Sequence, residues 1–119
     1  MENIKDIQIE ALITANEYLF NLKAGIEKVV SFFEGGEYGN GCALIPLIAD
    51  GIEYISEMVR LTDDVLDKCK DVENLNGFLG EIVEAIDSED FVLVGDLFNY
   101  EVLPIVEDIH SKIISKVAN

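Results

Sequence analysis

Two long stretches of the chain place apolar residues at alternating steps of three and four. The first consists of Leu12, Ala15, Leu19, Leu22, Ile26, Val29 and Phe33, and the second of Ile45, Ile48, Ile52, Ile55, Val59, Thr62, Leu66 and Cys69. Because only an α-helix returns a side chain to the same face at this interval, each stretch predicts an apolar seam along one long helix. Residues 35–41 between them contain four glycines, which disfavour helix and favour a turn. The pattern therefore predicts two long helices folded back as a hairpin.

The bounds of these two helices follow from caps and breakers. The first is predicted from Asn3 to Glu34, and the second from Ala43 to Lys70. Pro46 fits the second helix only in its first turn, where a missing backbone N–H costs nothing.

Each long helix also carries one interior glycine. Gly25 and Gly51 lie at nearly equal distances from the glycine-rich segment. In an antiparallel pair the two would meet at one height, where the missing side chains would allow the backbones to approach closely. Coincidence is the alternative, since a glycine in a helix interior costs up to about 1 kcal/mol relative to alanine.

A third, shorter helix is predicted after Asn74, its candidate N-cap. Its apolar face consists of Leu75, Leu79, Ile82 and Ile86. Residues 87–90 then predict a helix stop and restart. Ser88 can accept hydrogen bonds from free backbone amides there, while Glu89 and Asp90 favour the positive start of the next helix.

The fourth helix is predicted to run from this restart to about Val117. Its seam consists of Phe91, Val94, Phe98, Val102, Ile105, Ile109 and Ile113. Pro104 falls inside it, where it removes one amide and crowds the carbonyl of Tyr100, so a kink or break near Tyr100 is expected. Four amphipathic helices with short connections bury their seams most economically as an antiparallel bundle. The prediction is thus an all-α fold, an antiparallel four-helix bundle with a kinked or broken last helix, in one domain over residues 1–119.

Charge restricts the possible partners. The net charge is −16, from 24 acidic and 8 basic residues, and no Lys or Arg occurs between Asp71 and Ser111. Because nucleic acids and anionic membranes are bound largely through cationic side chains, this chain is expected to bind neither. A basic partner is compatible with the charge, and the alternative is an acidic surface that only keeps the protein solvated.

The location expected for the protein is the cytoplasm. Its first residues lack the basic start and apolar core of a secretory signal. The most apolar run, residues 42–55, contains Asp50 and Glu53 and is shorter than the ~20 residues of a membrane span. The two cysteines, Cys42 and Cys69, are too few for a disulfide scaffold and lack metal-ligand spacing, so both are expected as reduced thiols.

Candidate catalytic chemistry is sparse. No nucleophile motif or phosphate-binding loop occurs, and no cofactor is expected. Glu107 and His110 have the Glu-x-x-His spacing of ferritin-like metal sites, but the chain has only this one histidine. Glu107 also points about 160° away from the centre of the fourth-helix seam, towards water. The alternative for His110 is a histidine on the surface or rim of the bundle.

The first helix has a second apolar face. Ile9, Ile13 and Phe20 cluster about 140° from the centre of its seam. This face is either buried inside the bundle, in contact with a partner or a second copy, or simply exposed. The second helix also has a broad apolar arc beside its seam, formed by Leu47, Tyr54, Met58, Leu61 and Val65.

Residues 87–104 include Asp96-Leu97, Tyr100-Glu101 and Pro104. This segment resembles a recurring block in small, acidic, uncharacterised bacterial helical proteins, and the resemblance brings no assigned activity. In size, acidity and architecture the chain is also similar to bacterial flagellar export chaperones, which are helical bundles that hold a partner helix.

The expected function is that of a cytoplasmic protein–protein interaction module, an adaptor or chaperone-like bundle. It would bind an amphipathic partner helix, or a second copy, at Ile9, Ile13 and Phe20, and its acidity favours a basic protein partner. The alternative is a carboxylate-rich metal-dependent protein or enzyme that uses Glu107 and His110.

Overall fold

The computed structural model describes residues 3–66, 69 and 71–118, which form an antiparallel bundle of four helices. The elements are α1 (Ile4–Glu34), α2 (Tyr38–Leu61), a 3-10 turn (Val72–Asn74), α3 (Leu75–Asp87), α4 (Phe91–Asp96), a π-helical segment (Leu97–Val102) and α5 (Leu103–Val117). The last three are joined end to end as the fourth helix. The bundle measures 53 × 21 × 19 Å, and no β-strand occurs in the residues described. The predicted fold class is confirmed.

The first helix follows its prediction closely. The Asn3 side chain accepts a hydrogen bond from the backbone N–H of Asp6 at 2.9 Å and so caps α1. Every predicted seam residue of α1 is buried. After Glu34 the chain reverses at Gly36, whose φ of 77° is one that glycine adopts readily. The predicted hairpin is confirmed, since α1 and α2 pack along each other.

The second helix begins earlier than predicted, at Tyr38 rather than Ala43, so the turn is limited to residues 35–37. Pro46 consequently lies in the helix interior, not in the first turn. The early start has a physical cause, because the Tyr38 ring stacks on Phe33 at 5.9 Å and on Phe91 at 4.3 Å between centroids. These contacts hold the first turn of α2 against its neighbours.

The second helix also ends earlier than predicted, at Leu61. Thr62, Leu66 and Cys69 are buried as expected, but in the segment that connects α2 to α3 and not on a helix seam. The predicted end at Lys70 lies outside the described residues.

Gly25 and Gly51 do not pair across the hairpin as predicted. A Cβ on Gly51 would lie 2.9 Å from Cδ1 of Leu22 and closer still to the Tyr18 hydroxyl, so the close packing of α2 on α1 requires this glycine. A Cβ on Gly25 would meet only Cγ1 of Ile48, at an ordinary 3.9 Å. Packing therefore explains Gly51 and leaves Gly25 unexplained.

The caps around α3 and α4 differ from those predicted. Asn74 does not cap α3, because its side-chain amide donates to Oδ1 of Asp71 instead. The cap of α4 is Asp90, whose Oδ1 accepts from the backbone N–H of Leu93 at 3.2 Å, and Ser88 plays no such part. Glu89 makes the reversal with a φ of 55°. The predicted stop and restart is correct in place but wrong in its capping residue.

The fourth helix neither breaks nor ends at Pro104. The π-helical segment surrounds Tyr100, where the kink or break was expected, and α5 continues from it to Val117. A π turn accommodates one extra residue, which removes the conflict between the proline and the preceding carbonyl. The predicted seam lies in the core, with Phe91 partly buried and the other members buried.

Candidate functional site

The outer surface of the α1–α2 hairpin carries an apolar groove. Four large aliphatic side chains along it are exposed: Ile4 to 73%, Ile7 to 54%, Leu47 to 67% and Leu61 to 56%. None of them belongs to the buried core. Exposed apolar surface grouped in this way is typical of an interaction site.

Two cavities open along this groove, and their walls are mostly apolar. The smaller, of about 200 Å³, is lined by Tyr18, Asn21, Leu22, Gly25, Leu44, Leu47 and Ile48. The larger, of about 420 Å³, is lined by Ile4, Ile7, Gln8, Ala11, Met58, Leu61 and Thr62. We call them the Gly25 pocket and the Ala11 pocket.

The two pockets are related by a shift of fourteen residues in both helices. On α1 the paired positions are Ile4 and Tyr18, Ile7 and Asn21, Gln8 and Leu22, and Ala11 and Gly25; on α2 and its C-cap they are Leu44 and Met58, Leu47 and Leu61, and Ile48 and the capping Thr62. Fourteen residues span about 21 Å of α-helix and return to nearly the same face. The groove therefore presents the same type of pocket twice, about 21 Å apart.

A pair of tyrosines lies between the centres of the two pockets, and one of them, Tyr18, also lines the Gly25 pocket. The Tyr18 and Tyr54 rings meet edge to face, with centroids 5.1 Å apart. Tyr18 lies seven residues from both Ala11 and Gly25, so large and small residues alternate along this edge of α1. The tyrosine pair thus stands between the Ala11 pocket and the rest of the Gly25 pocket.

Carboxylates border the groove on both helices. On α1, Glu10 follows Ile7 by three positions and Glu17 precedes Asn21 by four, which makes them neighbours on the helix surface. On α2, Asp50 follows Leu47 by three positions. All three of these acidic residues are exposed. Together with the net charge of −16, they give the rim of the groove a negative potential.

The predicted partner-binding residues lie on the other side of α1, towards α5. Ile13 is 45% and Phe20 57% exposed, whereas Ile9 is partly buried against the core. Burial inside the bundle, one of the three alternatives for this face, is therefore wrong for Ile13 and Phe20. Their contact with a partner stays a prediction.

His110 lies beneath this second surface and is fully buried, so its interpretation as a surface or rim histidine is wrong. One position beyond Ile109 on the α5 seam, its side chain faces α1. Its Nε2–H donates to Oδ1 of Asn16 at 2.8 Å, and the Phe20 ring lies edge-on to the imidazole with centroids 4.5 Å apart. His110 thus forms a buried polar contact between α1 and α5.

The candidate metal pair is not brought together. Glu107 is exposed on α5, while His110 is buried and bonded to Asn16. Across residues 3–66, 69 and 71–118, no group of three or more His, Cys, Asp or Glu side chains is placed to hold a metal ion. The geometry of these two residues gives the metal-site interpretation no support.

The buried state of His110 predicts a pH dependence of stability. Burial lowers the pKa of this imidazole below its ordinary 6.5, and the nearby Lys23 charge lowers the pKa further. The unfolded chain therefore binds more protons at this site, so the stabilisation is complete above pH 6.5 and is lost as the pH falls below it. Urea unfolding at pH 7.5 and 5.5 should show a larger loss of stability for the natural chain than for His110→Gln. Both proteins keep the same carboxylates, so equal losses would contradict the prediction.

Comparison with protein-family models identifies a family for this chain. The model of a family described as a domain of unknown function, DUF8042, matches residues 10–112. The predicted resemblance to an uncharacterised family is confirmed by this match. No curated protein and no solved structure matches the chain, so the likeness to flagellar export chaperones is not supported. In the part of the chain that the structure describes, no helix is long and apolar enough to span a membrane.

Proposed function

We propose that this chain, which belongs to the DUF8042 family, is a protein–protein interaction module that holds a partner helix in the groove between α1 and α2. The observation that carries the proposal is the pair of apolar pockets with exposed Ile4, Ile7, Leu47 and Leu61 around them. An amphipathic helix laid into an apolar groove is a recurring mode of recognition. Each large side chain that it covers would gain roughly 1.5–3 kcal/mol from burial.

Charge favours a basic partner over a second copy of the chain. Each copy carries a net charge of −16, so two copies repel one another at low ionic strength. A partner with Lys and Arg beside its apolar stripe would instead meet the carboxylates of Glu10, Glu17 and Asp50. Such complementarity raises the rate of association and selects against acidic partners.

The proposed location is the cytoplasm. Cys42 and Cys69 are both thiols, which supports a reducing compartment. The arrangement of Glu107 and His110 does not support the alternative function, a carboxylate-rich metal-dependent protein or enzyme.

Differential capture from the cell that makes the protein tests the proposal. A variant with Leu47→Asp and Leu61→Asp places two charges in the groove at exposed positions. We expect it to lose the partner that the natural chain retains. Val83→Asp is the matched control, because Val83 is 54% exposed on α3, away from the groove, and this variant should keep the partner.

The same experiment separates the two surfaces of α1. Ile13→Asp charges the surface formed by Ile9, Ile13 and Phe20 and leaves the groove unchanged. A partner lost with Ile13→Asp and kept by the groove variant would replace the groove by that surface as the binding site. Light scattering of the same variants measures their molar mass and so tests self-association. If a second copy binds at the surface formed by Ile9, Ile13 and Phe20, the natural chain should be a dimer and Ile13→Asp a monomer.

A further inference from the structure

We infer that the groove recognises a basic amphipathic helix with a large apolar residue at position i, a small residue at i+7 and a second large apolar residue at i+14. This inference rests on the proposed function and specifies the partner of the same site. It follows from the spacing of the pockets, the tyrosine pair between them and the charge of the rim.

The spacing of the two large residues follows from the fourteen-residue shift between the pockets. A helix lying along the groove advances about 1.5 Å per residue, so residues i and i+14 are about 21 Å apart and on nearly the same face. That separation equals the distance between the Ala11 pocket and the Gly25 pocket. The same partner helix can therefore fill both.

The small residue at i+7 follows from Tyr18 and Tyr54. Tyr54 lies seven residues from both Leu47 and Leu61, midway between the pockets on α2, and its ring meets Tyr18 at the edge of the Gly25 pocket. A large side chain at i+7 would meet these rings, whereas Gly, Ala or Ser would let the partner backbone pass over them.

Gly25 supplies the independent observation for the smaller pocket. A glycine in a helix interior weakens the helix relative to alanine. Packing does not require it here, since the nearest atom to an added Cβ is 3.9 Å away. It does line a cavity of about 200 Å³, and the equivalent position in the other pocket is the small residue Ala11. The missing side chain at Gly25 keeps the pocket deep enough for an aliphatic anchor.

The flanking charges follow from the rim. Glu10 and Glu17 are exposed on α1 within one turn of groove residues, and on α2 the exposed Asp50 lies one turn from Leu47, between the groove and the α2–α3 cavity that Asp50 also lines. Lys or Arg residues on both sides of the apolar stripe would face these carboxylates. A second copy of the chain does not fit this description, because it has only eight Lys and Arg residues against 24 acidic ones.

Two synthetic helical peptides of identical composition test the spacing. Both have Lys and Arg on their flanks and Leu at position 4. The first has Ala at position 11 and Leu at position 18, and the second has these two residues exchanged. Titration followed by fluorescence anisotropy at low salt should show at least about tenfold tighter binding of the first, the effect of one buried leucine anchor.

The variant Gly25→Leu tests the pocket itself. It fills the smaller cavity, so we expect it to bind the first peptide about tenfold more weakly and the second peptide unchanged. Gly80→Leu on α3 is the matched control, because an added Cβ there meets nothing within 4 Å, much as an added Cβ at Gly25 meets only one atom, at 3.9 Å. Leu47→Ala removes one wall of the same pocket at an exposed position and serves as a second variant, with the same expected direction.

The outcomes distinguish this inference from the proposed function. Equal binding of the two peptides, or no binding of the first below about 1 mM, would overturn the inferred pattern. If the two peptides bound equally well and the double variant Leu47→Asp, Leu61→Asp abolished that binding, the inferred pattern would be wrong but the groove would remain the binding site. Peptide binding that this double variant leaves intact would overturn both. A dimer of the natural chain that Gly25→Leu dissociates would identify a second copy as the occupant and so overturn the inference.

Discussion

Phe33→Ala is expected to lower the free energy of unfolding by about 3–5 kcal/mol, the range for truncating a buried phenylalanine. Phe33 is only 5% exposed at the hairpin end of the bundle. Its ring stacks with Tyr38 and, at 6.1 Å between centroids, with Phe91, so it joins α1, α2 and α4. The α2 backbone also lies against it, since a Cβ on Gly41 would be 2.6 Å from the ring. Removing the ring leaves a cavity that three helices would have to close together.

Urea unfolding followed by circular dichroism measures this effect, and Phe32→Ala is the matched control. Phe32 precedes Phe33 on α1 but is only partly buried, and its ring contacts Lys28, whose Nζ lies 5.8 Å from the ring centroid. Its removal should cost no more than about 1 kcal/mol. Similar losses for the two variants would show that the aromatic stack does not stabilise this end of the bundle.

The long-range periodicity of the sequence was sufficient to predict the fold class. The seam from Leu12 to Phe33 repeats over about six helical turns, and so long a pattern rarely arises by chance in a segment that is not a helix. Every member of this seam is buried. Tertiary contacts decided the helix ends. Tyr38 begins α2 because its ring stacks on two others, and Pro46 is tolerated inside the helix once that start is held in place. Neither effect is visible from the local pattern of glycine and proline.

The candidate groove could be predicted only in part. The arc from Leu47 to Leu61 on α2 was visible as excess apolar surface, as were Ile9, Ile13 and Phe20 on α1. An angular count on one helix shows which side chains share a face but not which neighbouring helix covers it. The pockets depend on the register of α1 against α2, which sets Gly25 beside Ile48 and Gly51 beside Tyr18. The fourteen-residue spacing emerges only when both helices are placed.

The burial of His110 shows the same limitation. Its offset from the Ile109 seam placed it at the edge of the helix, and a histidine at such an edge is commonly exposed. Asn16 and Phe20 on α1 turn this edge into a buried contact. In the sequence, the signal for this contact was Asn16, a polar residue among apolar positions of α1. It indicates a buried polar contact only once α5 places His110 opposite it.

The fourth helix combines a buried and an exposed aromatic residue within one π-helical segment, and this contrast supports a second large prediction. Phe98 is fully buried, whereas Tyr100 is 67% exposed. The seam residues Val94, Phe98 and Val102 are four positions apart. In a regular α-helix, each step of four turns the side chain about 40° further around the helix axis, away from the core. The wider π turn takes up this excess and keeps both Phe98 and Val102 in the core.

Phe98→Ala should therefore lower the free energy of unfolding by about 3–5 kcal/mol, because it empties the largest fully buried position in the bundle. Tyr100→Ala is the matched control on the same segment and should change stability by no more than about 0.5 kcal/mol. Chemical denaturation of the two variants beside the natural chain measures both values. If Tyr100→Ala were as destabilising as Phe98→Ala, the orientation of the π-helical segment would be wrong. The expected difference instead assigns Phe98 to the core and leaves the exposed Tyr100 ring unnecessary for folding.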